Sequence, residues 1–349
     1  MNKNISHIVF LTPGFPGSDK DSTTIPALQS YLKSLRKVVP NTKITLLTFQ
    51  FPFSNKTYNW NGIQVISLNG KNQRYRKLWV WNKALKKLKK LHQESPITTL
   101  HSFWIGECSF IGQKFSAKRN IPHIITAMGQ DIYKNNRYVI SLIGSNAKII
   151  TLSKNHSNAL LKNHQLQSTI IPWGLNTSVF PELRQNKIDI LGVGSLNIIK
   201  NYTVFITVIA KLIKKHPKLK VEIIGPGKKP EQVLKMISKF QLENTISFTG
   251  ILKRDLVLEK MSQSKILLHT STYESYGYVF AEALYSGMSI VSNNVGIAQE
   301  KKEWNICQSE EEMVTACDII LSSLDTEKKR ILLHSEKETL NSYLKLYNA

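Results

Sequence analysis

Two kinds of residue are scarce in this 349-residue sequence: cysteine throughout, and acidic residues in the first half. The three cysteines are far apart and show no metal-binding spacing, which argues against a disulfide framework and a zinc cluster and favours a reducing compartment. No apolar run approaches the roughly 20 residues of a membrane-spanning helix, and the first four residues lead into a strand without the apolar core of a signal peptide. These absences predict a cytoplasmic protein.

The scarcity of acidic residues makes the charge strongly asymmetric. Residues 1–180 contain 24 Lys and Arg against five Asp and Glu, so they carry +19 of the formal net charge of +23. A field of this size predicts an anionic partner, such as nucleic acid, a membrane face or a phosphorylated molecule. Nucleic acid is disfavoured, because the basic residues are thinly spread and no zinc finger, ribonucleoprotein or helix-turn-helix pattern occurs.

Short apolar runs alternate with amphipathic stretches along the chain, a pattern typical of parallel α/β sheets. Two series of strands are predicted, separated by the polar stretch 181–187. The first series is at residues 7–12, 43–49, 63–68, 98–103, 123–127, 148–152 and 169–172, and the second is at 188–196, 220–225, 245–250, 265–272 and 289–293. The sequence therefore predicts two doubly wound, Rossmann-like domains, residues 1–180 and 181–334.

The most informative stretch begins at Ser271 and reads STYESYGYVFAE. A parallel strand is predicted to end at Thr272, a loop carries Glu274, and a helix begins near Gly277. Open α/β sheets bind ligands at the carboxyl ends of their strands, and the amides at a helix start suit phosphate groups. Glu282 lies in that helix and is predicted to point back to the same ligand; the alternative is a solvated helix carboxylate.

This stretch resembles the family four glycosyltransferases, whose pattern is S-x-x-E-G-F-G-L-x-x-x-E-A-x-A-x-G-x-P-V-V; the chain reads STYESYGYVFAEALYSGMSIV over residues 271–291. The resemblance implies a GT-B fold, with two Rossmann-like domains facing each other across a cleft and a C-terminal helix, residues 335–349, crossing back to the first domain. It implies hexosyl transfer from a nucleotide-sugar donor with retention of configuration and without metal or cofactor, the nucleotide-sugar being a substrate. Glu274 would contact the transferred sugar and Glu282 the ribose.

The second domain holds further donor-site candidates. The segment VGSLNIIKN is similar to the family's G-R-L-x-x-x-K-G, with Lys200 matching the lysine that contacts the diphosphate and Ser195 standing where arginine is frequent. Gly225 lies in a turn similar to the family's V-G-x-G near the base. A plain surface lysine is the alternative for Lys200. The predicted catalytic residues are Glu274 and Lys200. The predicted donor-binding residues are Gly194, Ser195, Lys200, Gly225, Glu274, Tyr276, Gly277, Tyr278, Val279 and Glu282.

In the first domain, the resemblance implies acceptor contacts in loops that follow three strands. Met128 occupies the place of the histidine in the family's His-Gly-x-Asp, so an acid–base role for that side chain is absent. An ordinary packed histidine and tryptophan fit His101 and Trp104 equally well. Asp19 and Asp21 imitate a metal-binding Asp-x-Asp, but acids there simply favour the start of the next helix. The predicted acceptor-binding residues are Gly17, Ser18, His101, Trp104, Met128 and Asp131.

Residues 74–91 form a basic amphipathic pattern, with Leu78, Trp81, Leu85, Leu88 and Leu91 on one helical face. Such a helix suits an anionic bilayer, although a crossover helix with a buried apolar stripe is the favoured interpretation. Together with the charge asymmetry it predicts an anionic, membrane-linked acceptor at the inner face of the plasma membrane. Lipid-linked saccharides, lipopolysaccharide core and teichoic-type polymers all fit, and peripheral membrane association would follow.

Two alternatives stay open. A catalytically inactive relative that acts as a sugar- or membrane-binding subunit is favoured by Met128 and Ser195. A different GT-B chemistry, such as an epimerase or a phosphorylase, is disfavoured by the close match around Glu274.

Overall fold

The structure, a computed structural model, describes residues 6–227, 231–299, 301–323 and 327–348. Two parts of the sequence predictions lie outside the described residues. They are the first four residues, which were judged not to be a signal peptide, and the last residue of the predicted C-terminal helix. The chain divides into two compact units, Met1–Gly174 with Glu336–Ala349, and Leu175–Ser335. The sequence had placed the first boundary six residues later, after residue 180.

The first unit is built on a sheet with strand order β3-β4-β2-β1-β5-β6-β7-β8, in which β3 and β4 are antiparallel and the other neighbours are parallel. The apolar run of β1 is buried on both faces, as parallel sheets covered by helices require. Its strands are β1 His7–Gly14, β2 Lys43–Phe51, β3 Thr57–Trp60, β4 Ile63–Ser67, β5 Thr99–Phe103, β6 His123–Thr126, β7 Lys148–Thr151 and β8 Thr169–Ile170. Its first helices are α1 Pro26–Val38, α2 Lys77–Glu94, α3 Glu107–Ala117 and α4 Lys154–His164.

Helix α2 corrects the apolar stripe predicted from the sequence. Its buried residues are Val80, Ala84, Leu88 and Leu91, whereas Leu78 is 68% exposed. The buried set combines a valine and an alanine with two leucines. A stripe defined by leucine and tryptophan alone leaves out the valine and the alanine. The crossover-helix interpretation holds for the rest of the stripe, because Trp81 and Leu85 pack against the core as partly buried residues.

The second unit has a parallel sheet with strand order β11-β10-β9-β12-β13-β14. Its core is formed by the apolar faces of the helices packed on the strands, α5 above all. The strands are β9 Ile188–Val193, β10 Val221–Ile224, β11 Ile246–Gly250, β12 Ser264–His269, β13 Ser289–Ser292 and β14 Trp304–Ile306. The helices are α5 Tyr202–Leu212, α6 Glu231–Lys239, α7 Arg254–Ser262, α8 Tyr278–Tyr285 and α9 Glu310–Ser322.

The last helix, α10 Glu336–Asn348, belongs to the first unit. It is held there by buried tyrosines: Tyr347 bonds Tyr31 of α1 at 2.5 Å, and the hydroxyl of Tyr343 lies 2.9 Å from Thr126 Oγ1. In the part of the chain that the structure describes, no helix has the length and apolar character needed to cross a membrane.

Each sheet has a point where the strand order reverses. In the first unit β1 has β2 on one side and β5 on the other, and in the second unit β9 lies between β10 and β12. Ligands of open α/β sheets bind in the crevice beyond the carboxyl ends of the strands at such a point. The fold therefore marks one place in each unit where a ligand site is expected.

Candidate functional site

The reversal point of the second unit joins the loop after β9 to the loop after β12. Thr270 Oγ1 donates to the carbonyl of Lys200 at 2.9 Å, and Thr272 N donates to the carbonyl of Ile199 at 2.9 Å. Gly194 and Ser195 follow β9, and Gly225 follows β10. A Cβ at Gly225 would lie 1.9 Å from the Gly194 carbonyl oxygen, so this close approach requires glycine. The predicted donor-binding segments thus share one edge of the sheet.

Glu274 is the centre of a charged cluster at this edge. Its Oε1 accepts hydrogen bonds from Lys200 Nζ and from His269 Nε2, the latter at 2.9 Å. Burial alone would raise the pKa of Glu274, but the hydrogen bond and charge of His269 and the ammonium of Lys200 outweigh burial and lower the pKa to about 2. Burial also lowers the pKa of His269. Glu274 is therefore an anion at neutral pH.

Helix α8 begins beside this cluster with Gly277 as its N-cap. Gly277 has φ +77, a conformation that favours glycine, and a Cβ there would lie 2.5 Å from Phe280 Cδ2. Both the backbone conformation and the available space therefore favour glycine at this position. Tyr278 and Val279 are the first two helical residues, and the start of a helix presents backbone N–H groups and the positive end of the dipole. The arrangement suits a phosphate group.

Glu282 lies in α8 and is 7% exposed. It forms an ion pair with Arg254, whose guanidinium lies 5.3 Å from the ring centroid of Tyr278. Burial raises the pKa of Glu282, and the arginine partly offsets this effect. The neighbouring Tyr276 is 2% exposed, and within the described ranges its hydroxyl has no hydrogen-bond partner. The solvated alternative for Glu282 is wrong, because the carboxylate is buried and paired.

Two residues of this site were missed by the sequence analysis, His269 and Arg254. Strand β12 ends at His269, not at Thr272 as predicted, so the histidine is the last residue of the strand. A polar residue that ends an apolar strand at the carboxyl edge was the available signal for His269. Arg254 belongs to no motif, and its approach to Glu282 depends on how α7 packs beside α8.

In the first unit, His101 is completely buried in β5. Its Nδ1 lies 2.8 Å from the hydroxyl of Tyr347, and its Nε2 lies 2.9 Å from Thr126 Oγ1. Burial lowers the pKa of His101 well below its usual value. Both ring nitrogens are occupied by protein partners, so the structure favours the packed-histidine interpretation over acceptor contact.

Asp131 acts on the backbone of its own loop and of the loop after β5. It accepts hydrogen bonds from the N–H groups of Ile105 at 2.7 Å and Gly129 at 2.6 Å, and from Met128 N at 3.2 Å. Trp104, the residue before Ile105, is partly exposed and has φ +66. Asp131 therefore joins the segments that carry Met128 and Trp104.

Gly17 and Ser18 lie in the loop after β1, where Lys56 Nζ donates to the Gly17 carbonyl at 3.2 Å. Asp21, in the sequence that imitates a metal motif, accepts from the backbone N–H groups of Thr23 and Thr24 at 2.9 and 3.0 Å. Among the described residues, no group of three or more His, Cys, Asp or Glu side chains is placed to hold a metal ion.

Residues 177–303 match the family model described as glycosyl transferases group 1. This segment is a group 1 glycosyltransferase domain. It contains the whole cluster of Lys200, Glu274 and Glu282. The glycosyltransferase domain also includes His269 and Arg254, the two site residues that the motif did not reveal.

Comparison with curated proteins finds similarity over part of the chain. The chain is 27% identical over 150 residues to the phosphatidylinositol N-acetylglucosaminyltransferase gpi3 subunit of Schizosaccharomyces pombe, and the match covers 42% of this chain and 33% of that protein. The chain spans less than two thirds of the length of the first curated relatives that it matches, with shares of 33% and 59%.

Solved structures resemble the chain along its whole length. A glycosyltransferase from Rickettsia africae has a TM-score of 0.74 at 16% identity and covers 98% of each chain. Anabaena HepE, solved with UDP and glucose, has a TM-score of 0.69 at 14% identity and covers 97% of this chain and 93% of its own. At these identities the likeness concerns the fold, and the predicted α/β class, two Rossmann-like domains of the GT-B type, is confirmed.

Proposed function

We propose that this chain is a retaining glycosyltransferase that moves a hexosyl group from a nucleotide diphosphate donor to an anionic, membrane-linked saccharide. One observation carries the proposal: Lys200 and Glu274 lie in contact at the carboxyl edge of β12, next to the start of α8, inside a group 1 glycosyltransferase domain. A cation, a helix start and a carboxylate together provide what a departing diphosphate and a reacting sugar need.

Lys200 and the start of α8 act on the leaving group. Cleavage of the bond between the sugar and the diphosphate leaves negative charge on the phosphate oxygens. The Lys200 ammonium and the backbone N–H groups near Tyr278 neutralise this charge where it develops, which is the most effective kind of electrostatic catalysis. No step in this scheme requires a metal or a cofactor.

Glu274 acts on the sugar. Because its pKa is about 2, the carboxylate holds no proton to donate at neutral pH, and it is unsuited to act as a general acid. It is suited to accept hydrogen bonds from sugar hydroxyls and to stabilise the positive charge that develops at the anomeric carbon. His269 keeps Glu274 in place by a hydrogen bond from a buried position.

Glu282 binds the nucleoside. A buried carboxylate has a second oxygen with which to accept hydrogen bonds from two neighbouring ribose hydroxyls. Arg254 pairs with Glu282 and partly offsets the rise in the pKa of this carboxylate that burial causes. Tyr276 adds a buried hydroxyl close to the same helix. HepE, solved with UDP and glucose, makes UDP the first nucleotide to test.

The acceptor is proposed from the charge and surface of residues 1–180. Three large apolar side chains are exposed at the amino end of α2: Tyr75 by 80%, Leu78 by 68% and Trp79 by 49%. We call them the aromatic patch. Arg76 and Lys83 lie over the Trp79 ring at 5.8 and 4.6 Å, so the patch has a cationic rim. Aromatic residues beside cations suit an anionic bilayer interface.

The name of the fission yeast relative, a phosphatidylinositol N-acetylglucosaminyltransferase subunit, describes an acceptor that is both anionic and lipid-linked. That chemistry agrees with the charge of +19 on residues 1–180 of this chain. Together they support peripheral association with an anionic membrane and an acceptor from glycolipid or surface-polysaccharide synthesis, such as lipopolysaccharide.

The deciding experiment offers UDP-, GDP-, ADP- and CMP-sugars to the purified chain in the presence of EDTA. Nucleotide release and the thermal shift are measured for each donor. Release with one donor identifies the base and the sugar and supports a metal-independent reaction. Binding without release, even when candidate acceptors are added, favours a non-catalytic sugar- or membrane-binding subunit. No response from a folded sample overturns the donor site.

A further inference from the structure

The first unit contains an open pocket of about 330 Å³ at the carboxyl ends of β1, β2 and β5. This β1–β5 pocket lies where the strand order reverses, the place in an open α/β sheet that binds ligands. Its volume falls within the range of about 300–1,000 Å³ that is typical of small-molecule sites. The side chains that give it its chemistry are Gln50, Arg74, Lys77, Trp104 and Glu107.

Trp104 enters the wall of the pocket from a strained turn. Its φ of +66 lies in the left-handed region, which a bulky side chain disfavours. The turn is fixed on both sides, because Trp104 N donates to the Thr126 carbonyl at 2.9 Å and Ile105 N donates to Asp131 at 2.7 Å. Strain of this kind persists mainly at functional sites. The fold thus presents an indole at this pocket at an energetic cost.

Glu107 is held by one of its two carboxylate oxygens. Its Oε2 accepts from Trp81 Nε1 at 2.8 Å and from Gln50 Nε2 at 3.4 Å, whereas its Oε1 has no hydrogen-bond partner in the described part of the chain. An oriented carboxylate accepts hydrogen bonds from hydroxyl groups, and an aromatic ring offers an apolar surface to the C–H groups of a pyranose. Trp104 and Glu107 therefore provide the chemistry that recognises a sugar.

Two cations complete the wall of the pocket. The Lys77 ammonium lies 4.9 Å from the ring centroid of Trp81 and 5.0 Å from that of Tyr138. Over residues 6–227, 231–299, 301–323 and 327–348, no carboxylate lies within 4.0 Å of Lys77 or Arg74. A guanidinium matches the oxygens of a phosphate, and an ammonium adds a point charge. The cations therefore favour an anionic group beside the sugar.

We propose that the β1–β5 pocket binds a pyranose that carries a phosphate. Trp104 and Glu107 contact the ring and its hydroxyls, and Arg74 and Lys77 contact the phosphate. That this phosphosugar is part of the acceptor rests on the proposed function; the binding itself does not. The amino end of α2 carries both Lys77 and the aromatic patch, so a lipid-linked phosphosugar would meet the pocket and the membrane surface at one end of one helix.

The test uses glucose 6-phosphate, glucose and inorganic phosphate as probes of the full chain. The sequence has six tryptophans, so ¹⁵N-labelled indole groups give few NMR signals. The signal that is missing from the spectrum of Trp104→Phe is that of Trp104. Glucose 6-phosphate is expected to shift the signals of Trp104 and of Trp81, whose indole is bonded to Glu107, and not that of Trp304, which donates to Ser292 in the second unit. Glucose and phosphate alone should bind at least tenfold more weakly.

Matched variants locate the phosphate. Lys77→Met should weaken glucose 6-phosphate binding at least tenfold, whereas Lys86→Met, on an exposed position of the same helix, should not. The proposal is overturned if no probe shifts Trp104, if phosphate alone binds as well as the phosphosugar, or if the two lysine variants behave alike. UDP binding is measured on the same samples. If the wild-type chain does not bind UDP, the result counts against the donor site in the second unit and not against phosphosugar binding in the β1–β5 pocket.

Discussion

The ammonium of Lys200 is paired with the carboxylate of Glu274, two residues 74 positions apart in the sequence. Their side chains are 20% and 16% exposed, so the pair lies largely out of water. In the unliganded protein each of the two proposed catalytic groups neutralises the other. A bound diphosphate would therefore compete with Glu274 for the charge of Lys200.

This competition yields the first prediction, for Glu274→Gln. The substitution leaves Lys200 without its anionic partner, so UDP should bind as tightly as to the wild type or more tightly. Transfer should fall by about 10²–10³, the usual effect of removing one electrostatic contact to a transition state. Calorimetry with UDP and a donor-turnover assay measure the two effects. Glu222→Gln, which breaks the ion pair between Glu222, on β10 of the same sheet, and Lys260, is the control. Wild-type turnover in Glu274→Gln would disprove the role of Glu274.

The second prediction concerns Arg254→Gln. Without the guanidinium, no positive charge of Arg254 offsets the effect of burial on Glu282, so the pKa of Glu282 should rise further above its usual value. UDP affinity at neutral pH should fall about tenfold, or 1.4 kcal/mol, and should recover as the pH is raised and Glu282 ionises. Titrations between pH 6 and 9 check this, with Arg184→Gln, from an exposed ion pair with Glu259, as the control. Tighter binding in Arg254→Gln would mean instead that Arg254 competes with the ribose for Glu282.

The third prediction is an acid-sensitive first unit. Burial lowers the pKa of His123 to about 3 and that of His156 to about 4. Below pH 6.5 the unfolded chain binds protons at these histidines and the folded chain does not, so stability decreases as the pH falls. Each histidine contributes about 1.4 kcal/mol per pH unit until its folded-state pKa is reached. Calorimetry between pH 7 and 5 measures the slope.

A glutamine at position 123 tests one of these histidines. His123 bonds Ser102 at 2.8 Å and Gln113 at 2.9 Å, and a glutamine retains hydrogen-bonding groups but does not titrate. His123→Gln should therefore reduce the slope of stability against pH by up to one proton. His164→Gln, at a half-buried position of the same unit, serves as the comparison. An unchanged slope in His123→Gln would contradict the assignment.

The sequence predicted the architecture well because parallel strands buried on both faces have an unmistakable composition. The runs that became β1 and β12 are continuous apolar segments, and a glycine ends the loop before α8 where φ must be positive. The antiparallel β3 and the short β14 were missed, since Thr57–Trp60 and Trp304–Ile306 lack such a run. Their pairing depends on neighbouring strands and not on local composition.

The site was only partly visible in the sequence, for a related reason. Glu274 and Glu282 stand in a motif, whereas the groups that set their protonation come from β12 and α7. Arg254 is 28 positions before Glu282, and only the packing of two helices brings the pair together. The same limit affected α2, where Leu78 was predicted to face the core and is instead exposed. Tertiary packing decides which of several apolar faces is buried.

The exposure of Leu78 leads to the last prediction, which concerns membranes. Vesicles that contain phosphatidylglycerol should bind the chain, and vesicles of phosphatidylcholine alone should bind it weakly, because the cationic rim of the aromatic patch requires anionic lipid. Leu78→Ser should weaken binding about tenfold, as expected from the loss of 1.5 kcal/mol of apolar burial. Ile251→Ser is a matched control, since Ile251 is also 68% exposed but belongs to the second unit.

Salt separates the two contributions to that binding. The electrostatic part should decrease steeply as ionic strength rises, because the Debye length shortens from about 10 Å at 0.1 M to about 3 Å at 1 M. The apolar part should persist at high salt in the wild-type chain, and Leu78→Ser and Trp79→Ser should remove it. If binding is indifferent to salt, the cationic rim does not contribute to it. If Ile251→Ser weakens binding as much as Leu78→Ser does, the aromatic patch is not the membrane-binding surface.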